Sequence, residues 1–307
     1  MTILNSTSST SSQSSQQPLK EAGKHNKKGA CLYVVATPLG NLGDITYRAV
    51  EVLRSVDLIA AEDTRHSQRL MNHYQIKTKL ISLHEHNETA RAEELINYLA
   101  AGQSLALISD AGTPLIADPG FYLVNCVRAA GFEVVPLPGP SALITALSAA
   151  GLPTDSFSFY GFLPAKNSAR NKVLADLAQQ TSTLIFYEAP HRILASLASL
   201  QEVFGKERPA CVARELTKQF ETFLTGSLEE IHQQVSQDSN QQKGELVLLV
   251  AGKTAAEDQE DNSQAWAEAA SWAKALEKPL PPSKLAAVLA KQLKLNKQEV
   301  YQQLMQK

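Results

Sequence analysis

Cys31-Leu32-Tyr33-Val34-Val35-Ala36-Thr37-Pro38-Leu39-Gly40-Asn41-Leu42-Gly43-Asp44 is the stretch on which the fold turns. Its first six residues are a short apolar run with β-branched members, the pattern of a buried strand. The eight that follow carry a proline and two glycines, which end the strand in a loop. Residues 46–55 then show helical periodicity, with Ala49, Val50 and Leu53 on one face. The alternation continues through a strand at 56–61, a helix at 67–74, a strand at 80–83, a helix at 89–101 and a strand at 104–109. Strands alternating with helices of this length predict βαβ units around a mostly parallel sheet. In such a sheet, ligands bind at the loops that leave the carboxyl ends of the strands.

A second rhythm begins near Pro138. Helices are expected at 141–150, 168–179 and 193–204, with extended segments at 157–161, 183–187, 210–214, 219–224 and 246–250. Short strands with fewer crossovers predict an α+β partner domain containing antiparallel pairs. The expected organisation is a serine-rich tail (1–29), an N-terminal α/β domain (30–138), a second α/β domain (139–254), an acidic linker (255–264) and a helix-turn-helix-like module (265–307). In that last segment, helices at 283–293 and 297–305 flank a turn at Leu295-Asn296, and residues 273–307 hold seven lysines against two glutamates. Lysines on a small helical module suit a polyanion.

Composition narrows the class. The 307 residues are 44% hydrophobic and 20% charged, which is enough apolar material for real cores. The formal net charge of −2 argues neither for nor against a nucleic-acid partner. Cys31, Cys126 and Cys211 form no C-x-x-C pair, which excludes a disulfide scaffold or cysteine zinc site and fits a reducing, cytoplasmic setting. No apolar run approaches the ~20 residues of a membrane span. Residues 6–17 supply hydroxyls and amides where a signal peptide would be apolar.

Three loops carry the chemistry. Residues 37–44 follow the first strand. Ser109-Asp110-Ala111-Gly112-Thr113-Pro114 follows another, with Asp118-Pro119-Gly120 close behind. Pro138-Gly139-Pro140-Ser141-Ala142 stands at the junction of the two halves. Glycines let backbone approach a ligand, and prolines stiffen the approach. The chain has neither G-x-G-x-x-G nor G-x-x-x-x-G-K-[ST], which argues against a Rossmann dehydrogenase and a P-loop NTPase. Glu62, Asp63 and Arg65 end the second strand, where they could cap a helix or bind and deprotonate a hydroxyl. Tyr187-Glu188-Ala189-Pro190-His191-Arg192 and Ala213-Arg214-Glu215-Leu216-Thr217-Lys218 end two later strands with acid–base pairs, and Lys243-Gly244-Glu245 precedes the last one. Such pairs are salt bridges or phosphate contacts. His84 and His86 lack a third ligand at metal spacing, so no metal is expected.

Taken in order, residues 35–44, 60–65, 109–114 and 187–192 resemble the tetrapyrrole methylase superfamily, and within it the bacterial ribosomal RNA 2′-O-methyltransferases. The likeness spans about residues 31–253, and the lysine-rich end is similar to that group's C-terminal module. The serine-rich tail and acidic linker depart from it. The resemblance implies a two-domain tetrapyrrole-methylase-like α/β fold, with a parallel-sheet N-terminal domain, a mixed-sheet second domain and a small C-terminal helical module. It also implies S-adenosylmethionine as methyl donor, bound between two α/β domains of a homodimer. The acceptor it implies is a cytidine ribose in the decoding region of 16S rRNA of the small ribosomal subunit. Donor contacts map onto Pro38, Ser109, Asp110, Ala111, Gly112, Thr113, Pro114, Ser141, Ala142, Tyr187, Ala213, Gly244, Glu245 and Leu246. Glu62, Asp63 and Glu188 are candidate bases, and Arg65, Arg192, Arg214, Lys284, Lys291, Lys294 and Lys297 are candidate RNA contacts. The competing readings are a superfamily methylase for a tetrapyrrole or protein side chain, a non-catalytic RNA-binding protein, and a metal-dependent hydrolase built on Glu62, Asp63, His84 and His86.

Overall fold

β1 (Cys31–Val35) is buried or half-buried along its whole length, as a strand flanked on both edges and covered on both faces must be. It pairs in parallel with β4 (Leu105–Ile108) on one side and β5 (Glu133–Leu137) on the other, Tyr33 lying opposite Ala106 and Val135. β2 (Leu58–Ala61) flanks β4, and β3 (Leu80–Ser82) lies outermost, giving a parallel sheet of order β3-β2-β4-β1-β5. The computed structural model describes residues 29–254, 281–293 and 296–305. The rest of the expected tail, the acidic linker and Lys294 lie outside these residues. The chain divides into two units, one of residues 1–38 and 42–140, the other of residues 39–41 and 141–307.

Handedness decides which face each helix of the first unit covers. From β1 to β2 to β3 the chain steps one way across the sheet, and from β3 to β4 to β5 it steps back. Right-handed crossovers therefore put α1 (Tyr47–Ser55) and α2 (Thr64–His73) on one face, and α3 (Glu88–Ala100) and α4 (Phe121–Ala129) on the other. The cores agree. Ala49, Val52 and Leu53 of α1 join Leu70 and Met71 of α2 over Val35 and Ile59. Ala92, Leu95 and Leu99 of α3 join Leu123 and Val127 of α4 under Leu32 and Leu58.

The second unit is a mixed sheet of order β6-β7-β10-β8-β9. Its strands are β6 (Phe157–Phe162), β7 (Thr183–Glu188), β8 (Pro209–Arg214), β9 (Thr222–Ser227) and β10 (Leu246–Val250). β6 and β7 run parallel, and the other neighbours are antiparallel. β10 is buried throughout. On one face, Leu174 of α6 (Asn167–Leu177), Leu197 of α7 (Ile193–Phe204) and Ile231 of α8 (Leu228–Gln237) pack on Phe186, Val212 and Leu248. α5 (Ala142–Ala149) also packs against β10. α9 (Pro282–Leu293) and α10 (Lys297–Met305) pack against each other.

The fold is thus α/β, with a parallel sheet in the first unit and a mixed sheet in the second. Three elements lie beyond the pattern reading: α4, β5 and α8. β5 contains Pro136, which a strand tolerates at a sheet edge, and β5 is the edge. The strand expected at 219–224 forms at Thr222–Ser227 instead. The turn before it takes more residues because Glu215 (φ 50) and Thr217 (φ 66) adopt the left-handed conformation.

Candidate functional site

Topology locates the site before any side chain is considered. The loop after β4 leads to α4 on one face of the sheet. The neighbouring loops after β2 and β1 lead to α2 and α1 on the other. Oppositely directed connections open a crevice on each side of the β4 tip, the position where open parallel sheets bind ligands. The residues at that tip are Ser109 and Asp110.

The β1 and β4 loops are tied together there. The Thr37 N–H donates to the Gly112 carbonyl at 2.8 Å, and the Gly112 N–H donates back to the Thr37 carbonyl at 2.9 Å. The buried Thr37 hydroxyl donates to the Ser109 carbonyl at 3.1 Å. Thr113 Oγ1 donates to the Pro140 carbonyl at 2.9 Å, which holds the junction loop to the same edge. Gly139 passes so close to β1 that a Cβ there would sit 2.8 Å from the Ala36 Cβ. Leu115 (φ 73) and Ala117 (φ 65) hold left-handed backbone without being glycine. Strain of this kind, on the order of 1–3 kcal/mol per residue, concentrates at ligand sites and is sustained by surrounding contacts.

Four carboxylates gather around the β4 tip, with different partners. Asp63 caps α2: its Oδ1 accepts the Arg65 N–H at 2.8 Å, and Arg65 Nη2 lies 3.2 Å from Oδ2. These hydrogen bonds hold the Asp63 carboxyl below its ordinary range. Asp110 Oδ1 accepts the backbone N–H of Asp63 at 3.1 Å, and the Asp110 N–H points at Glu62 Oε2 at 3.5 Å. Burial raises the Glu62 carboxyl above its ordinary range, and the nearby Asp110 charge adds to the effect. Asp118 is pushed up to about 6, by burial first and by the Glu62 charge second, against a hydrogen bond from Ser109. Among the described residues, Glu62, Asp110 and Asp118 form no ion pair.

In the second unit, Tyr187 and Ala213 lie opposite Val247 in adjacent strands, with Gly244, Glu245 and Leu246 at the start of β10 beside them. Ser141 is the N-cap of α5, and Ala142 is its first residue. Tyr187 meets the rings of Phe159 and Phe162 edge-on, at 4.8 and 5.8 Å. Here the acidic side chains are neutralised. The Glu188 side chain is fully buried, accepts from Arg192 Nε and the Ala189 N–H at 2.8 Å each, and is bonded by the Ser196 hydroxyl. Arg192 Nη2 also donates to the Leu163 carbonyl at 2.6 Å. Arg214 is 8% exposed and donates to the Phe220 carbonyl, Thr222 and Gln241. Lys218 bridges Glu215 and Glu245 at 2.9 and 3.1 Å, and Gly244 (φ 81) turns where a Cβ would strike Glu215.

The expected residues therefore separate by environment. Glu62, Asp63, Asp110 and the 109–114 loop share one sheet edge, whereas Glu188, Arg192 and Arg214 are held by internal partners. Lys284, Lys291 and Lys297 are exposed on α9 and α10. His84 and His86 stand with ring centres 6.0 Å apart, and among the described residues no group of three metal-ligating side chains gathers. No helix among them is long and apolar enough to cross a membrane. Thr37 and Asp118 are the residues that pattern reading left unassigned. The Asp-Pro-Gly turn signalled a loop at Asp118, but nothing local signalled its burial beside Glu62.

Comparison with known proteins adds independent findings. The family model of Tetrapyrrole (Corrin/Porphyrin) Methylases matches residues 31–232. A relative from Vibrio cholerae named Ribosomal RNA small subunit methyltransferase I is 53% identical over 270 residues, covering 88% of this chain and 92% of that one. A relative of the same name from Pseudomonas aeruginosa is 54% identical over 276 residues, covering 90% and 97%. Among solved structures, the methyltransferase CobJ is similar with TM-score 0.55 and 20% identity, covering 73% of this chain and 94% of that one. The uroporphyrin-III-C-methyltransferase of Thermus thermophilus is similar with TM-score 0.51 and 20% identity, covering 72% and 94%.

Proposed function

The chain belongs to the tetrapyrrole methylase family, and from that premise we propose that it methylates the 2′-oxygen of a cytidine ribose in the decoding region of 16S rRNA, acting on the small ribosomal subunit as a cytoplasmic homodimer. S-adenosylmethionine is the methyl donor. One observation carries the choice of ribosomal RNA over a tetrapyrrole. Relatives bearing a ribosomal RNA methyltransferase name share about half their residues with this chain over nearly their full length. The structures bearing tetrapyrrole names share only its fold.

The residues at the β4 tip fit the donor. It is a sulfonium that also carries an ammonium group and ribose hydroxyls, and three carboxylates that form no ion pair among the described residues complement that charge. Asp110 and the loop of residues 109–114 would hold it, with Pro38 packing beside them. When bound, the donor supplies an electrophilic methyl group, so the hard part of the chemistry belongs to the cofactor. The chain supplies alignment, worth up to roughly 7–11 kcal/mol for a well-oriented pair, and a proton acceptor. Glu62 suits the second role because burial and Asp110 raise its basicity. Asp63 is engaged as a helix cap, and Glu188 is enclosed with Arg192 and Ser196.

Incubation of labelled S-adenosylmethionine with small subunits lacking this methylation, followed by nuclease digestion, tests the proposal. Label in 2′-O-methylcytidine is the expected result. Label on a base, or on no RNA at all, would overturn it.

A further inference from the structure

From Thr64 to His84 the chain contains no aspartate or glutamate, yet it holds Arg65, Arg69, Lys77 and Lys79 together with His66, His73 and His84. α2 occupies most of that stretch. Its inner face is Ser67, Leu70 and Met71, which are buried, so the cations are left to the solvent side with Arg65, His66, Arg69 and His73 all exposed. α1 lies in the same helical layer and adds exposed Arg48 and Arg54, the latter donating to the Tyr74 carbonyl at 2.6 Å. Together α1 and α2 carry four arginines against one glutamate, Glu51. The layer on the opposite face of the sheet has the other sign, since α3 and α4 carry two arginines against three glutamates, Glu88, Glu93 and Glu94.

We propose that the outer face of α1 and α2 is the surface along which the substrate RNA's sugar–phosphate backbone lies, beyond the nucleotide being modified. This rests on the reading of the substrate as ribosomal RNA. Two features give the face its orientation. It begins at the candidate site, where Arg65, with its side chain 91% exposed, stands two residues after Asp63 and pairs with it at 3.2 Å. It then runs down α2, whose 10 residues span about 15 Å, so Arg65 and Arg69 stand one helical turn apart on the same side. Tyr47, 92% exposed at the first position of α1, offers a ring of the kind on which unpaired bases stack. The arginines of the second unit that sequence alone nominated for phosphates, Arg192 and Arg214, spend their donors on internal acceptors. Those of α1 and α2 are exposed even where they hold a local acceptor, Arg65 with Asp63 and Arg54 with the Tyr74 carbonyl, and the helices on the opposite face of the sheet carry a net negative charge. A polyanion approaching such a unit is drawn to the α1/α2 side and repelled from the α3 side.

The test uses the full chain with arginines away from the carboxylates. Arg48→Glu/Arg69→Glu is compared with Glu93→Lys/Glu94→Lys on the acidic layer. Affinity for unmethylated small subunits and for protein-free 16S rRNA is measured across a salt series. The arginine reversal should weaken both by ~10-fold or more near physiological salt and flatten the salt dependence by one to two ion equivalents. Its melting temperature and donor affinity should stay at wild-type values, and the α3 variant should bind at least as well as wild type. Wild-type affinity and salt slope in the arginine variant would overturn the proposal while leaving the substrate reading intact. Weakened binding to subunits alone, with unchanged binding to protein-free rRNA, would assign the face to a ribosomal protein and also overturn it. A wild-type chain that methylates no RNA would instead remove the reading on which the proposal stands.

Discussion

Both units carry acidic residues beside the ends of their strands, but they treat the charge in opposite ways. In the second unit every such carboxylate has a cation: Glu188 has Arg192, and Glu215 and Glu245 share Lys218. Burial alone would raise the Glu215 carboxyl, yet Lys218 and the Glu245 N–H hold it below its ordinary range. In the first unit Glu62, Asp110 and Asp118 crowd one sheet edge with no ion pair among the described residues, and the result is a raised Glu62 and an Asp118 near 6. Paired carboxylates have their electrostatics settled by folding. Unpaired, half-buried ones leave a cost that a cationic or hydroxyl-bearing ligand can offset. The contrast separates a brace from a binding site using residues of the same type at the same kind of position.

The largest effect expected from this contrast lies in the brace. Glu188→Ala removes the acceptor of Arg192 and Ser196 from a buried position and should cost about 3–5 kcal/mol of stability, read from urea unfolding. A cost below ~1 kcal/mol would show that the pair is not structural. Next is the site. Asp110→Ala should weaken S-adenosylmethionine binding by ~10–100-fold in calorimetry, the loss of a charge-assisted contact, with far less effect on unfolding. Unchanged donor affinity would end the assignment of Asp110.

Asp118→Asn sharpens the comparison through pH. The native carboxyl, near 6, holds its proton more tightly than the 3.8 of an unperturbed aspartate. Native wild type therefore loses stability between about pH 4 and 6 and carries the full penalty above that range. The amide should be more stable than wild type by on the order of 1 kcal/mol at pH 7.5 after allowance for solvent screening, with the gain gone by pH 4. A constant difference across that range would mean that Asp118 titrates normally. The smallest effect belongs to Lys218→Met. The ion pairs of this quarter-exposed lysine should contribute less than ~1 kcal/mol, and that contribution should fade in 1 M salt.

How far the sequence reveals these differences depends on the range of the forces involved. β1 and its loop are legible because a strand buried on both faces must be apolar throughout, and because proline and glycine must interrupt it. Asp110 is legible for the same reason, as the first charge after an apolar run. The start of α2 is less so. It begins at Thr64 rather than near Ser67, since its first turn is set by the Asp63 cap and has no apolar period to read. The resting state of Glu188 was half visible, with Arg192 four residues on, but its burial depends on α7 and β7 packing together. Asp118 is not legible because it is shifted first by burial and then by Glu62, a charge at the end of β2 far away in sequence.

The strand order of the first sheet also sets a timetable for synthesis. β1 pairs with β4 and β5, so this strand, the earliest among the described residues, has no sheet neighbour there until Leu105–Ile108 has been made. β2 and β3 can pair as a nascent couple, but β1 and the Thr37 loop must wait, with an apolar edge open, for about seventy more residues. Of the described strands of this sheet, the one that begins the ligand edge thus waits longest for a neighbour, and Thr37 gains its hydrogen-bond partner, Gly112, only once the β4 loop has been translated.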